Sequence, residues 1–170
     1  MKKFPPGVAK LALSLIRYRE HRVFIRLRLC LLRQLGARIG GNVVIKAGVV
    51  IDYPENLVVG DGVSIQQNCL LSAYAPISIG SNVSIAHGVS IVTTTHPYER
   101  AQIIRQASLI SAPVKICDNC WVGMKSSILH GVTIGTGVVV GAHSLVNRSV
   151  KDNRVVAGVP ARVIKIRGEK

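Results

Sequence analysis

Residues 116–146 repeat a pattern of six residues, and this pattern decides the fold. They read ICDNCW, VGMKSS, ILHGVT, IGTGVV, VGAHSL and a final V. An aliphatic residue opens each group, and a small or β-branched residue stands four positions later. A period of six matches neither the turn of a helix, about 3.6 residues, nor the alternation of a strand, about 2. It indicates a chain that forms a short strand, turns a corner and repeats.

The pattern extends back to residue 39, with two shifts of two residues and one longer interruption. We predict that the aliphatic residues point inward, as do the small or β-branched residues four positions after them, Ala75 and Thr95 included and Glu55 excepted. Three sides make one coil, and coils stacked at about 4.8 Å form a parallel β-helix. The fifteen aliphatic positions are Ile39, Ile45, Ile51, Val59, Ile65, Leu71, Ile79, Ile85, Ile91, Ile116, Val122, Ile128, Ile134, Val140 and Val146.

Two of the four cysteines, Cys69 and Cys120, fall on inward corner positions, so we predict that they are packing residues. Cys117 and Cys120 have the spacing of half a zinc site, but no second pair of cysteines or histidines lies at a suitable distance. No metal is therefore expected to be required.

The 170 residues include 22 basic and 8 acidic side chains, a net charge of +14. Residues 1–38 carry ten of the basic residues and one acid, Glu20, so most of the excess lies there. We predict a basic helical segment over 1–38 and a β-helix domain over 39–170. A basic chain suggests an anionic partner. Nucleic acid is not expected, because no motif for it is present and only 4% of residues are aromatic.

The basic helical segment has two candidate roles. A β-helix needs a cap on its open first coil, and a basic helix also suits an anionic membrane surface. The segment has no secretory signal pattern and no membrane span, so we expect a cytoplasmic protein, with a peripheral position on the inner membrane as the second role would require. The arginines at helical spacing are Arg19, Arg22, Arg26 and Arg33, with Phe24, Leu27, Leu31 and Leu35 on another face.

The repeat breaks after Ile91 and resumes at Ile116, which predicts an inserted loop over about residues 93–113. Loops this long are uncommon on a compact repeat unless they serve a function. His96 stands where the loop leaves the coil, and Pro97 favours an extended backbone at that point. A histidine that is neutral near pH 7 can take a proton from a hydroxyl group.

The stretches 79–84, 122–127 and 134–139 resemble the hexapeptide repeats of bacterial acyltransferases. This resemblance implies an all-β fold, a left-handed parallel β-helix of about five coils. Thr95-His96-Pro97 and the loop after it resemble the catalytic segment of galactoside, maltose and capsular polysaccharide O-acetyltransferases, in which this histidine is the general base. The family also implies a homotrimer with active sites between subunits. A zinc carbonic anhydrase of the same fold would need two histidines close together, which this chain lacks.

The same resemblance implies acetyl-CoA as acyl donor and a set of residues that bind it. The backbone N–H of Met124 is implied to face the thioester oxygen, and Trp121 to lie beside the pantetheine arm. Arg154 and Lys165 could add positive charge near the nucleotide. The full implied cofactor set is Trp121, Gly123, Met124, Ala142, Arg148, Gly158, Pro160 and Arg162.

Acceptor recognition departs from the galactoside type, because Gln66 and Tyr74 stand where that type has Asn and Asp. Tyr74, and Asn68 close to it in sequence, are therefore the acceptor candidates. We expect transfer of an acetyl group to a sugar or lipid-linked saccharide hydroxyl in bacterial surface polysaccharide or lipopolysaccharide synthesis. Two alternatives stay open: a non-catalytic scaffold or lipid-surface adaptor, and an enzyme like serine acetyltransferase.

Overall fold

The computed structural model describes residues 5–98 and 103–168, and it begins with two α-helices. These are α1 (Pro6–Ile16) and α2 (Arg22–Gln34). Pro6 occupies the first turn of α1, where its missing N–H leaves no hydrogen bond unmade. His21 caps α2, because its Nδ1 accepts a hydrogen bond from the backbone N–H of Val23 at 3.4 Å.

The strands follow in groups of three, one group to each coil. The first three coils contain β1 (Arg38–Ile39), β2 (Val44–Ile45), β3 (Val50–Asp52), β4 (Leu57–Val59), β5 (Ser64–Ile65), β6 (Leu70–Ser72), β7 (Ile77–Ile79), β8 (Ser84–Ile85) and β9 (Ser90–Val92). A short antiparallel hairpin then leaves the prism as β10 (Thr94–Thr95) and β11 (Ile110–Ser111). The remaining strands are β12 (Val114–Ile116), β13 (Trp121–Val122), β14 (Ser127–Ile128), β15 (Thr133–Ile134), β16 (Val139–Val140), β17 (Leu145–Val146), β18 (Arg154–Ala157) and β19 (Arg162–Ile166).

Three parallel sheets form the sides of a left-handed prism. Face A contains β1, β4, β7, β12 and β15; face C contains β3, β6, β9, β14 and β17. Face B contains β2, β5, β8, β13, β16 and β18, and β19 is added to it antiparallel. Five coils are complete, and Val150 and β18 begin a sixth. The predicted left-handed parallel β-helix is confirmed.

The aliphatic residues of the repeat form the core. Thirteen of the fifteen are buried, and the other two, Ile39 and Ile51, are partly buried against the same core. Both exceptions lie in the first coil, where no coil precedes them. Stacking the same residue type in each coil excludes water without any aromatic side chain. Burial of each aliphatic side chain stabilises the fold by roughly 1.5–3 kcal/mol.

The corners depart from the predicted pattern where extra residues separate face C from face A. Ala75 and Thr95 are only partly buried, so the prediction that they point inward is wrong. The buried residues are Ala73 and Thr93. The inserted residues bulge outward and move the inward position two residues earlier. Thr93 stabilises the bulge, because its hydroxyl donates to the carbonyl of Ser72 at 2.8 Å and accepts from the N–H of Ala75 at 3.0 Å.

Cys69 and Cys120 are buried at corners, as predicted for packing residues. The thiol of Cys69 donates to the carbonyl of Ala86 at 3.1 Å, and that of Cys120 to the carbonyl of Gly135 at 3.0 Å. Burial raises the pKa of both thiols above the ordinary value. Each thiol therefore serves as a small apolar group with one satisfied donor.

The two helices cover the open first coil. Leu32 of α2 belongs to the core, and Leu13 of α1 and Leu29 of α2 pack against it. The guanidinium of Arg33 closes the junction by donating to the carbonyls of Ile39 and Gly40. Residues 6–34 therefore cap the prism, which is one of the two roles considered for the basic segment.

Arg28 ties both helices to the first coil. It is 3% exposed, and its guanidinium donates to the carbonyl of Ile45 in β2 at 2.6 Å. It also donates to the carbonyls of Ile16, Arg17 and Arg19, at 3.1, 3.2 and 3.1 Å, where α1 ends. Burial lowers the pKa of Arg28, and nearby Glu20 opposes this shift. One buried cation thus joins the Ile45 carbonyl to three carbonyls at the end of α1, of which those of Ile16 and Arg17 also accept from the N–H groups of Arg19 and Gly48.

Neither helix approaches the dimensions of a membrane span. Within 5–98 and 103–168, no helix is both long and apolar enough to cross a bilayer.

We expect Arg28→Met to lower the free energy of unfolding by roughly 2–3 kcal/mol, because it removes four charge-assisted hydrogen bonds and takes the guanidinium donor from the buried carbonyl of Ile45. Urea unfolding followed by circular dichroism measures the change. Arg26→Met is the matched control, since Arg26 is exposed on the same helix, and it should change stability by less than about 0.5 kcal/mol. Equal stability of the two variants would contradict the role of Arg28.

Candidate active site

His96 stands on the outside of the prism, where the chain leaves face C. It follows β10 directly, and β10 pairs with β11 through Thr94 with Ser111 and Thr95 with Ile110. The hairpin therefore fixes the backbone on the N-terminal side of His96. The His96 side chain is exposed, and no described residue makes a hydrogen bond with its imidazole. The sequence does not identify a residue that orients His96, and the nearest acidic residue along the chain, Glu99, lies outside the described residues.

Trp121 projects outward from face B. It lies in β13 between Ser84 of β8 and Val139 of β16, and it is 55% exposed. Its neighbour Val122 is fully buried, as the alternation of a strand requires. A groove of about 400 Å³ runs beside the indole and is lined by Asn82, Ser84, Asn119, Cys120, Trp121, Val139 and Arg167. A flat apolar surface is thus presented next to polar groups.

The corner after β13 presents free backbone donors. Among the described residues, no acceptor pairs with the backbone N–H of Met124 or with that of Ala142. The two residues occupy equivalent corners of the fourth and fifth coils, since Trp121 is paired with Val139. Their N–H groups are therefore one strand spacing, roughly 4.8 Å, apart. We call this edge, residues 123–126 and 141–144, the B–C corner.

Gly123 allows the two coils to approach at the B–C corner. A Cβ atom on Gly123 would lie 2.6 Å from the amide nitrogen of Ala142 and 2.6 Å from the carbonyl oxygen of Val140. Both neighbours are backbone atoms that cannot give way. Only glycine fits there, for a reason of packing that is independent of any ligand.

Two buried serines hold the B–C corner from the inside. The hydroxyls of Ser126 and Ser144 both donate to the carbonyl of Gly141, at 2.8 and 2.7 Å. The hydroxyl of Ser144 also accepts from the backbone N–H of Gly158 at 3.2 Å. The serines thereby connect three successive coils behind Met124 and Ala142. Sequence reasoning assigned them only a packing role, although a hydroxyl recurring at an inward position was the available signal.

A basic groove lies at the start of the sixth coil. Its volume is about 320 Å³, and its charged lining consists of Arg148, Lys151, Arg154 and Arg162. The predicted cofactor residues Arg148 and Arg162 thus face one cavity, and Arg154 adds to its charge. Lys165 lies on β19 outside that lining. Four cations around one groove make a strong site for a phosphorylated ligand.

The turn between β18 and β19 carries the predicted residues Gly158 and Pro160. Gly158 has φ +100°, a conformation that other residues rarely adopt, and the Val159–Pro160 peptide is cis. The turn is tied to the fifth coil, because the N–H of Leu145 donates to Gly158 and the N–H of Ala161 donates to Leu145. The backbone of the turn therefore favours glycine at position 158, whatever the turn binds.

A second groove lies where face C meets face A, below the helices. Its volume is about 600 Å³, and α1 contributes Lys10, Leu13 and Arg17 to it. The lining from the coils includes Asp52, Tyr53, Glu55, Tyr74, Thr94 and Leu109. Tyr53 and Tyr74 meet edge to face, with ring centroids 5.4 Å apart. Thr94 and Leu109 flank the loop that carries His96, so we call this cavity the loop-side groove.

The structure separates the two acceptor candidates. Tyr74 lines the loop-side groove, whereas Asn68 does not and belongs to the turn between faces B and C of the second coil. Asn68 has φ +60°, and its side chain fills the space that a Cβ on Gly48 would need. Asn68 and Tyr74 are six residues apart, which is the length of one side of the prism. They therefore lie at neighbouring corners, although they are close in sequence.

One chain does not bring all the predicted catalytic groups together. His96 leaves from the corner between faces C and A, whereas Trp121 lies on face B and Met124 on the B–C corner. The whole of face C separates the two corners, about 20 Å at roughly 3.3 Å per residue. In one chain His96 and Met124 therefore lie at different edges of the prism.

Comparisons with known proteins agree with this fold. Residues 113–148 match the family described as bacterial transferase hexapeptide (six repeats), and residues 28–53 match the hexapeptide repeat of succinyl-transferase. An Escherichia coli K12 protein provisionally named as a colanic acid biosynthesis acetyltransferase is 37% identical over 147 residues, which are 86% of this chain and 79% of that protein.

Two solved structures share the fold over nearly the whole chain. A maltose O-acetyltransferase from Clostridium difficile 630 has a TM-score of 0.81 and 33% identity, and the match covers 96% of this chain and 87% of that one. A hexapeptide-repeat acetyltransferase from Vibrio cholerae, complexed with acetyl-CoA, has a TM-score of 0.86, 28% identity and the same coverage. The identity, coverage and shared fold confirm the predicted enzyme class: the chain is an acyltransferase and belongs to the hexapeptide-repeat acetyltransferases.

Proposed function

We propose that the chain transfers the acetyl group of acetyl-CoA to a sugar hydroxyl, with His96 as general base. The observation that carries this proposal is that His96 is exposed and follows by two residues Thr94, which lines the 600 Å³ loop-side groove. Imidazole is neutral near pH 7 and can accept the hydroxyl proton. A base of this kind contributes about 10²–10⁴-fold to the rate.

The proposed reaction is direct transfer without a covalent enzyme intermediate. His96 takes the proton of the acceptor hydroxyl while its oxygen attacks the thioester carbonyl carbon. The free N–H of Met124 donates to the carbonyl oxygen as negative charge develops there. The carbon–sulfur bond then breaks, coenzyme A leaves as the thiolate, and the proton held by His96 can neutralise it.

We propose that the donor lies along the B–C corner. The free N–H of Ala142 is one coil from that of Met124, which suits the amides of an extended pantetheine arm beside Trp121. Gly123 and the turn of Gly158 and Pro160 shape this edge. The arm would lead to the basic groove, where Arg148 and Arg162 face the phosphates with Arg154. This arrangement also accounts for part of the positive charge of the prism.

We propose that the acceptor lies in the loop-side groove. The Tyr53–Tyr74 pair offers aromatic surface for the apolar side of a sugar ring. The carboxylates of Asp52 and Glu55 can accept hydrogen bonds from sugar hydroxyls. The similarity to a protein named for colanic acid biosynthesis supports a role with surface polysaccharide or a lipid-linked saccharide. Asn68 has no part in the loop-side groove of its own chain.

We propose a homotrimer with each active site between two prisms. This arrangement supplies Trp121 and Met124 of one copy to His96 of another. The outward side chains of faces B and C favour such contacts because their strands carry no charge between residues 64 and 92. Burying uncharged strands costs little desolvation. The charges that the strands of these two faces do carry lie at the ends of the prism, Asp52 in β3 and Arg154 in β18, with Arg162 and Lys165 in β19. We further propose a cytoplasmic location, peripheral on the inner membrane through residues 1–38.

We expect His96→Ala to lower turnover at least a hundredfold while the dissociation constant for coenzyme A stays the same, because the base is lost and the donor site is not. Release of free thiol with the best acceptor from a panel of soluble glycosides measures turnover, and calorimetry measures affinity. His130→Ala is the control, a half-buried histidine at the same edge of the next coil. Near-normal turnover of His96→Ala would overturn the assignment.

Mixing two inactive variants tests whether the site is shared. Subunits of His96→Ala and Trp121→Ala, unfolded together and refolded, would form some sites with both native residues, and activity would return in part. Refolding each variant alone is the control. An active monomer by light scattering, or no recovery in mixed trimers, would contradict the shared site.

We expect Arg148→Gln with Arg162→Gln to raise the KM for acetyl-CoA about tenfold or more, since each charge-assisted hydrogen bond contributes roughly 1.5–3 kcal/mol. The effect should shrink with acetyl-dephospho-CoA, which lacks the 3′-phosphate. Lys165→Gln is the matched control, because it removes a cation on β19 outside the groove. An unchanged KM in the double variant would place the nucleotide elsewhere.

A further inference from the structure

We propose that α1 docks the enzyme on an anionic lipid surface, with its exposed apolar stripe inserted at the membrane interface. The proposal assigns a function to a side of the cap that the prism leaves uncovered. It specifies the contact behind the peripheral location proposed above, and it depends on neither the acceptor nor the chemistry, so it can fail while the proposed acetyl transfer stands.

The stripe consists of Val8, Leu11, Leu15 and Tyr18, which are 48%, 62%, 71% and 73% exposed. Their spacing of three and four residues places them along one side of a helix. The other side already has partners, since Ala9 is 1% exposed and Leu13 packs against the core. A helix that is apolar on both sides is normally buried on both, and here the prism covers only one.

The dimensions of α1 favour lying in the interface. Its eleven residues extend about 16 Å, at roughly 1.5 Å per residue, which is about half the hydrocarbon thickness of a bilayer. Lys10 is the only charged residue between Pro6 and Ile16. A short helix with an apolar side and adjacent cations is typical of interfacial binding.

The cations that follow α1 are available for lipid headgroups. Arg19, Arg22 and Arg26 are exposed, and none of them has a side-chain hydrogen bond or ion pair with a described residue. Val23 and Leu27 stand among them and are 61% and 37% exposed. Arginines interleaved with apolar side chains extend the character of the stripe beyond the end of α1.

Three other charges of the segment are already engaged within the cap and the prism. Arg28 is buried, and Arg33 binds the carbonyls of Ile39 and Gly40. Glu20, the only acid among residues 1–38, accepts a hydrogen bond from the side chain of Gln67 at 3.0 Å. The groups left facing outward are therefore cationic and apolar, which is complementary to an anionic lipid surface. The sequence grouped Arg33 with the free arginines, and the structure removes it from that group.

The same charge disfavours a second copy as the occupant. Residues 1–38 carry ten basic residues and one acid. Two such segments placed face to face would repel each other strongly at low salt. Anionic lipids instead offer an apolar interior for the stripe and negative headgroups for the arginines.

Docking would set the position of the loop-side groove. Lys10, Leu13 and Arg17 line that groove from the side of α1 that faces the prism. The groove would then open close to the headgroups, where the sugar of a lipid-linked saccharide is found. This consequence, unlike the docking itself, rests on the proposed acceptor.

Vesicle co-sedimentation of the full chain tests the docking. We expect binding to phosphatidylcholine vesicles that contain about 30 mol% phosphatidylglycerol, and at least tenfold weaker binding to pure phosphatidylcholine or at about 0.5 M salt. Leu11→Ser with Leu15→Ser, and separately the triple change of Arg19, Arg22 and Arg26 to Gln, should each reduce the partition coefficient at least tenfold.

Each matched control removes as many apolar residues, or as many charges, as the variant with which it is compared, but outside the stripe and its arginines. Ile103→Ser with Ile104→Ser removes two exposed apolar residues from the inserted loop. The change of Arg38, Arg105 and Lys115 to Gln removes three exposed charges elsewhere. Both controls should bind vesicles as the natural chain does. Equal loss in controls and stripe variants, or no preference for anionic vesicles, would overturn the proposal.

Two further measurements distinguish lipid from protein as the partner of the stripe. The indole introduced by Tyr18→Trp should shift its emission to the blue on anionic vesicles and be quenched by brominated lipid, whereas Trp121 alone in the natural chain should not respond. Light scattering without lipid should give the same mass for natural and stripe-variant chains. A change of mass in the stripe variants, or no response of the Tyr18→Trp variant once it is bound, would show that the stripe contacts protein and would overturn the lipid assignment.

Discussion

The constraint on which the structure depends is the stacking of coil upon coil, with every strand paired in parallel to the same strand of its neighbours. Ile45, Ile65, Ile85, Val122 and Val140 lie above one another for this reason. A coil can gain or lose residues only where pairing is not required, and that is at the corners. The residues inserted after Ala73 and Thr93 bulge outward, while Ala73 and Thr93 themselves stay buried and the core stays closed.

Chemistry is therefore confined to corners and edges. The B–C corner keeps the N–H groups of Met124 and Ala142 free because the turn carries them past the end of strand pairing. Ser126 and Ser144 use their hydroxyls inside that corner to fix successive coils to one another. The opposite edge of face C carries the inserted loop and His96. A rigid prism thus presents free N–H donors at one edge and the exposed imidazole of His96 at another, and the proposed trimer would bring the two together.

The ends of the stack pose a different problem, because an open coil exposes both its core and its unpaired backbone. At the first coil, α2 supplies Leu32 to the core and Arg28 to the carbonyls. A buried arginine is costly unless several acceptors surround it, and the end of α1 supplies three of them. The same cap leaves one side of α1 without a partner. The last coil ends instead on the antiparallel β19, whose turn also shapes the basic groove.

The sequence by itself determined the β-helix, its aliphatic core, the inserted loop and the basic N-terminal segment, because a six-residue period constrains each residue through its own neighbours. Arg148 and Arg162 were grouped only by the resemblance to a known family, and the structure places both on one groove. Tertiary structure alone decided that Asn68 and Tyr74 belong to different corners. It also decided which residues are buried at the two inserted corners, Ala73 and Thr93 in place of Ala75 and Thr95. In the cap, it decided that Arg28 is buried and Arg26 is exposed. These outcomes depend on where a corner bulges and on which helix side meets the first coil. Both are set by contacts between residues distant in sequence, so no local pattern carries them.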